Sequence, residues 1–143
     1  MKIIFAMHGK PKDKRILELL EEYQKKISRY QKIDFNFLGE FSNLENLLEK
    51  FVGKKIYLLD EDGKEFSSLK FAENYEKDLN NGEKEIVFVV GPAEGFGNIS
   101  KLKNINIISL SKMAMQHDIA ALVLMEQIYR SVSIKNNLPY HKI

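Results

Sequence analysis

At 143 residues and 44% apolar composition the chain can bury one core, and its length fits a single domain over 1–143. It has no cysteine, which excludes disulfides, thiolate nucleophiles and cysteine-ligated zinc or iron–sulfur centres. The net charge of +2 hides a division: Lys/Arg outnumber Asp/Glu nine to four in residues 1–32 and six to three in 86–143, whereas 40–85 carries seven against twelve.

The opening run Met1 to Met7 is too short for the apolar part of a signal peptide, and His8-Gly9-Lys10 follows at once. We read it as a first strand. From about Lys12 to Tyr30, Ile16, Leu20, Tyr23, Ile27 and Tyr30 recur at helical spacing. Asp34 to Leu38 alternates like a strand. Asn43 is expected to cap a short helix bearing Leu44, Leu47, Leu48 and Phe51, which Gly53 stops. Lys55 to Leu59 reads as the third strand, ended by the turn residues Asp60-Glu61-Asp62-Gly63. Ser67 or Ser68 can cap a helix through Phe71, Tyr75 and Leu79, closed by Asn81-Gly82. Glu85 to Val90 is the strongest strand signal, an unbroken apolar run expected of a central strand. A Gly-rich loop, Gly91 to Gly97, leads through a turn or short helix near Lys103 to a fifth strand, Ile105 to Ile108. A helix from about Asp118 to Ile134 follows, apolar almost all round. Such a helix must be covered twice, by its own sheet and by something else. The alternation predicts an α/β fold, a mostly parallel five- to six-stranded sheet with helices on both faces. No window approaches the roughly 18 apolar residues of a membrane span, and with no export signal read the expected compartment is the cytoplasm.

Four features carry chemistry. The loop from Gly91 through Gly95 allows close backbone approach, but it is not a dinucleotide fingerprint and by itself reads as an ordinary turn. Ser109 to Met115 is a polar, irregular loop that can offer backbone groups to a small polar ring, with Leu110, Met113 and Met115 as walls. Methionines plugging the core are the simpler account of that loop. His117 stands at a helix N-terminus, where the imidazolium is disfavoured; it can serve as a neutral hydrogen-bond partner or a base, although a lone histidine is more often structural. Arg130 lies on an apolar helix and needs a partner, and Glu126 one turn earlier is the nearest at hand. No triad, paired-carboxylate or H-x-x-x-H spacing is present, so no metal is expected. If the two basic ends meet, they form a positive face suited to RNA; on charge alone a solvated mixed surface is the simpler account.

The segment Ser109-Leu-Ser-Lys-Met, His117, Leu122, Glu126-Gln-Ile-Tyr-Arg130, Ser133-Ile134 and Pro139-Tyr140-His141 resembles the small SPOUT-class methyltransferases that act on N3 of a pseudouridine, position 1915, in large-subunit ribosomal RNA. The resemblance implies a deep C-terminal trefoil knot. It implies S-adenosylmethionine bound among three loops, here matching Leu59, Gly91 with Gly95, and Leu110, Ser111, Lys112, Met113, Ala114 and Met115. It implies a homodimer built on the last helix, acting on ribosomal RNA within the ribosome. It places Arg130 and the Tyr140-His141 tail near the target base; from position alone, His117 or His141 is expected to assist loss of the N3 proton, with Arg130 holding a phosphate or the developing anion. Where the family usually has two adjacent glycines and then proline, this chain has Gly91-Pro92-Ala93-Glu94-Gly95. A SPOUT enzyme of another RNA, and an assembly factor without turnover, are the alternatives.

Overall fold

The computed structural model describes residues 1–39, 44–92 and 105–142. The Asn43 cap, Gly95 and the rest of the loop beyond Pro92, and the turn near Lys103 lie outside them. Among the described residues nine elements follow in chain order: β1 (Lys2–His8), α1 (Lys14–Ser28), β2 (Lys32–Leu38), α2 (Leu44–Lys50), β3 (Lys55–Glu65), α3 (Ser68–Asn80), β4 (Glu85–Val90), β5 (Asn106–Ser109) and α4 (His117–Lys135). The five strands form one sheet, ordered β2-β1-β4-β3-β5, with every pairing parallel.

The apolar run of β4 puts it at the centre, where both faces need cover. Successive residues of β1 and β4 point to opposite faces and feed two cores. Ile3, Phe5, Met7, Ile86 and Phe88 pack under α1, α3 and α4. Ile4, Ala6, Val87 and Val89 pack with Phe51 and Leu48 on the other face. Helices therefore lie on both faces. Asp13 and Ser67 cap α1 and α3 by accepting from the amides of Arg15 and Lys70. Asp78, 1% exposed, is paid for by donors from two strand residues, Lys55 Nζ and Tyr57 Oη, which tie α3 to β3.

The turn expected after Leu59 does not end the third strand. β3 runs on to Glu65, and its register against β5 jumps between Leu59 and Lys64. Leu59 and Lys64 both stand opposite Ile108, so Asp60 to Gly63 is an excursion looped out of a continuing strand. Asp60 shapes it by accepting from the amide of Asp62 at 2.9 Å. Gly63 lets the chain return, because a Cβ there would lie 2.7 Å from backbone atoms of Ile107 and Ile108.

The second cover of α4 comes in large part from its own chain. The helix is wedged between α1 and α3 above the sheet, so two neighbours in the same chain bury Ala121, Leu124, Met125, Ile128 and Val132. Its remaining ridge holds Ile119, 45% exposed, and the half-buried Val123. The basic start of the chain does meet the last helix, since the amides of Lys12 and Asp13 donate to Asp118.

Candidate donor pocket and the Arg130 cluster

Connections from β1 lead to β2 on one side, and those from β4 lead to β5 on the other. Where strand order reverses in this way, the loops at the carboxyl ends part and leave a crevice. A cavity of about 880 Å³ lies there, within the size of small-molecule sites. Four loops wall it: His8 to Lys10 with Lys12 after β1, Leu59 to Asp62 within β3, Gly91 and Pro92 after β4, and Ser109 to Ser111 with Met113 to Asp118 after β5.

Of the donor-binding residues expected from sequence, Leu59, Gly91, Leu110, Ser111, Met113, Ala114 and Met115 line this cavity. Lys112 lies on the same loop with an exposed side chain but is not part of the lining. The methionines do not plug the core: Met113 is 77% and Met115 37% exposed. The loop is held by its own serines. Ser109 Oγ donates to the carbonyl of Ser111 at 2.8 Å, and Ser111 Oγ accepts from the amide of Met113 at 3.0 Å. The amides of Lys112, Ala114 and Met115 meet no protein acceptor among the described residues. Such groups at a cavity edge suit the hydrogen-bonding rim of a purine, and the Leu and Met side chains suit its faces.

His117 is the first residue of α4, whose cap is Gln116, accepting from the amide of Ile119. Its Nε2 stands 3.1 Å from the carbonyl oxygen of His8. A carbonyl only accepts, so Nε2 must carry the proton and cannot take up another. His117 thus fastens the end of β1 to α4.

Arg130, Tyr140 and His141 lie elsewhere. Thirteen helical steps separate His117 from Arg130, about 20 Å along α4. There Glu126 joins the group: its carboxylate accepts from Arg130 Nη2, from Tyr140 Oη at 2.8 Å and from Gln127 Nε2 at 2.8 Å. The intrahelical pair expected from sequence is therefore present. Arg130 Nη1 is 3.0 Å from His141 Nδ1, which must accept because a guanidinium only donates. His141 is accordingly neutral, with its proton on Nε2. The guanidinium stacks over the Tyr140 ring, 4.9 Å from its centroid, and the Tyr140 and Tyr129 rings meet edge to face at 4.7 Å. Burial, followed by the Glu126 contact, pushes the Tyr140 hydroxyl well above the usual tyrosine range, so it stays a donor. Hydrogen bonding to Glu126 holds Arg130 firmly charged.

Sequence reasoning missed the His8 to Lys12 wall, the acidic Asp60 to Asp62 wall and the tether through Asp118. Sheet order supplies the first. The second was hidden by reading turn residues as the end of a strand.

Residues 1–141 match the family model described as "Predicted SPOUT methyltransferase". The proteins named "Ribosomal RNA large subunit methyltransferase H" from Flavobacterium psychrophilum and Flavobacterium johnsoniae are each 35% identical, over 99% of this chain and 99% of the relative. The namesake from Kosmotoga olearia is 34% identical over the same shares. Among solved structures, "a probable methylase family protein" from Haemophilus influenzae Rd KW20 superposes with a TM-score of 0.58 at 10% identity, over 99% of this chain and 70% of that one. At that identity the likeness concerns the fold.

Proposed function

The chain belongs to the SPOUT methyltransferase family, and from that premise we propose that it methylates N3 of pseudouridine 1915 in large-subunit ribosomal RNA, on the assembled ribosome in the cytoplasm. The relatives that match it end to end are named for ribosomal RNA methylation. The observation that carries the reading is the convergence of Leu59, Gly91 and the Leu110 to Met115 loop on one cavity of suitable size. S-adenosylmethionine supplies an electrophilic methyl group on a sulfonium. The protein's part is to hold that group in line with the attacking nitrogen, which contributes several orders of magnitude. The unpaired amides of the 112–115 stretch hold the purine, and the apolar side chains shed water around the sulfur.

N3 must lose its proton before it attacks. His141 Nδ1 is engaged by Arg130, and His117, with its proton on Nε2 at the His8 carbonyl, can accept only at Nδ1. Arg130 instead stabilises the N3 anion by its charge, so that solvent can take the proton. Tyr140 supports the arginine through ring stacking and the shared Glu126.

This division of labour requires two copies of the chain. Within one chain, Arg130 is too far along α4 to reach a base beside the donor pocket. Two chains packed across a two-fold axis on the exposed ridge of α4, with helices running oppositely, solve this. An axis near Val123 sets His117 of each chain level with Arg130 of the partner subunit, across the roughly 8–10 Å between packed helices. Ile119 and Val123 then gain the cover they lack.

The test is transfer of label from methyl-labelled S-adenosylmethionine to ribosomes of cells lacking the enzyme. The expected result is one methyl group in large-subunit RNA, mapped by mass to N3 of pseudouridine 1915, with isolated RNA a poor substrate. Donor binding without any transfer would instead indicate an assembly factor.

A further inference from the structure

The first turn of α4 grips the segment after β1 at both ends. His117 Nε2 donates to the carbonyl of His8 at its start. Asp118 Oδ2, on a residue only 3% exposed, accepts from the amides of Lys12 and Asp13 at 2.9 and 3.0 Å at its far end. Between these anchors Pro11 is buried and Lys10 is exposed, with exposed Lys12 at the far anchor. Both lysines line the mouth of the donor cavity. Lys12 also begins a shallower groove that continues past Lys14 to Ile119.

The Asp118 carboxylate is spent on the strap's backbone amides and pairs with none of its lysines. The strap's one acid, Asp13, is taken by Arg15 at 2.8 Å, and the guanidinium beside it lowers the carboxyl to about 2. Lys10, Lys12 and Lys14 have no ion-pair partner among the described residues. The opposite rim of the cavity is Asp60-Glu61-Asp62. The mouth therefore has a basic lip and an acidic lip, and a polyanion is drawn to one and repelled by the other.

We propose that the strap from His8 to Asp13 is a phosphate grip, on which Lys10 and Lys12 hold the RNA backbone flanking the target nucleotide at the mouth of the donor cavity. This rests on the functional reading above. It gives His117 and Asp118 a positioning role. A strap fixed through backbone atoms presents its lysines with little loss of loop freedom on binding. The helix that fixes it begins where the donor loop ends, so donor and RNA are registered to one rigid element.

The experiment measures KM for ribosomes against potassium chloride concentration, for the natural chain and for Lys10→Ala/Lys12→Ala. Donor affinity is read separately by calorimetry. Each lost phosphate contact should reduce the slope of log affinity against log salt by about 1. The double variant is thus expected to lose about 2 from the slope, with donor affinity unchanged, and Lys10→Arg/Lys12→Arg to restore the slope. An unchanged slope overturns the proposal. So does a fall in donor affinity with the slope intact, which would assign the lysines to the donor's carboxylate. If the natural chain does not methylate ribosomes at all, the functional reading fails instead.

Discussion

Replacing Arg130 by alanine is expected to lower turnover by about two to three orders of magnitude, the usual cost of removing a charge aimed at a developing anion, while donor affinity stays unchanged. The two effects separate because Arg130 is not among the residues that line the donor cavity, whose lining reaches only the first turn of α4. The variant should fold, because Glu126 keeps the Tyr140 hydroxyl and Gln127 as donors when the guanidinium is gone. Lysine should rescue poorly. Arg130 uses Nη1 on His141, Nη2 on Glu126 and its flat face on Tyr140 at once, and an ammonium cannot copy that fork. Single-turnover kinetics at saturating donor distinguish the outcomes. A variant with normal turnover would remove Arg130 from the chemistry.

Gly63→Ala should be among the most damaging single-methyl additions in the chain. The new Cβ would meet three backbone atoms of β5 at 2.7 Å, and backbone cannot swing aside as a side chain can. Overpacking of this kind costs about 3 kcal/mol, or a melting temperature lower by about 10 °C in a chain of this size. Two loops of the donor cavity leave this junction, the Asp60 to Asp62 excursion and the loop that follows Ser109, so donor affinity should fall as well. Asp62→Ala on the same excursion is exposed and should melt like the natural chain, which separates loss of an acidic side chain from the clash. Thermal denaturation of the pair reads both. An unshifted Gly63→Ala would mean that β3 and β5 can separate at no cost.

The sheet was legible in the sequence because its strands are short apolar runs bounded by turn residues, and β4 could be placed centrally from Glu85 to Val90 alone. The helix caps at Asp13 and Ser67 sit at or beside the positions that the patterns suggested. What periodicity could not supply was anything set by contacts distant in sequence. Asp60-Glu-Asp-Gly63 has turn composition, yet β5 recaptures the strand beyond it through a backbone approach that only glycine permits. Asp118 reads as an ordinary acidic residue in a first helical turn, and its bonds to Lys12 and Asp13 span more than a hundred residues. The apolar surround of α4 correctly demanded double cover. It could not show that α1 and α3 provide much of that cover, with Ile119 left exposed and Val123 half-buried. The loop from Leu110 to Met115 was singled out by resemblance, and its exposed methionines rule out the core filling that pattern alone favoured.

The central claim is that each working site joins the donor cavity of one chain to the Arg130 cluster of another. Mixing two inactive variants tests it most directly. Ala114→Trp fills the cavity from an exposed loop position and spares the core, while Arg130→Ala leaves the cavity open. In equal mixtures after subunit exchange, half of the dimers are mixed, and each has one site with both halves intact, so about a quarter of natural activity should return. Activity that stays at the sum of the two variants after exchange, with mixed dimers verified by mass, would contradict the shared site.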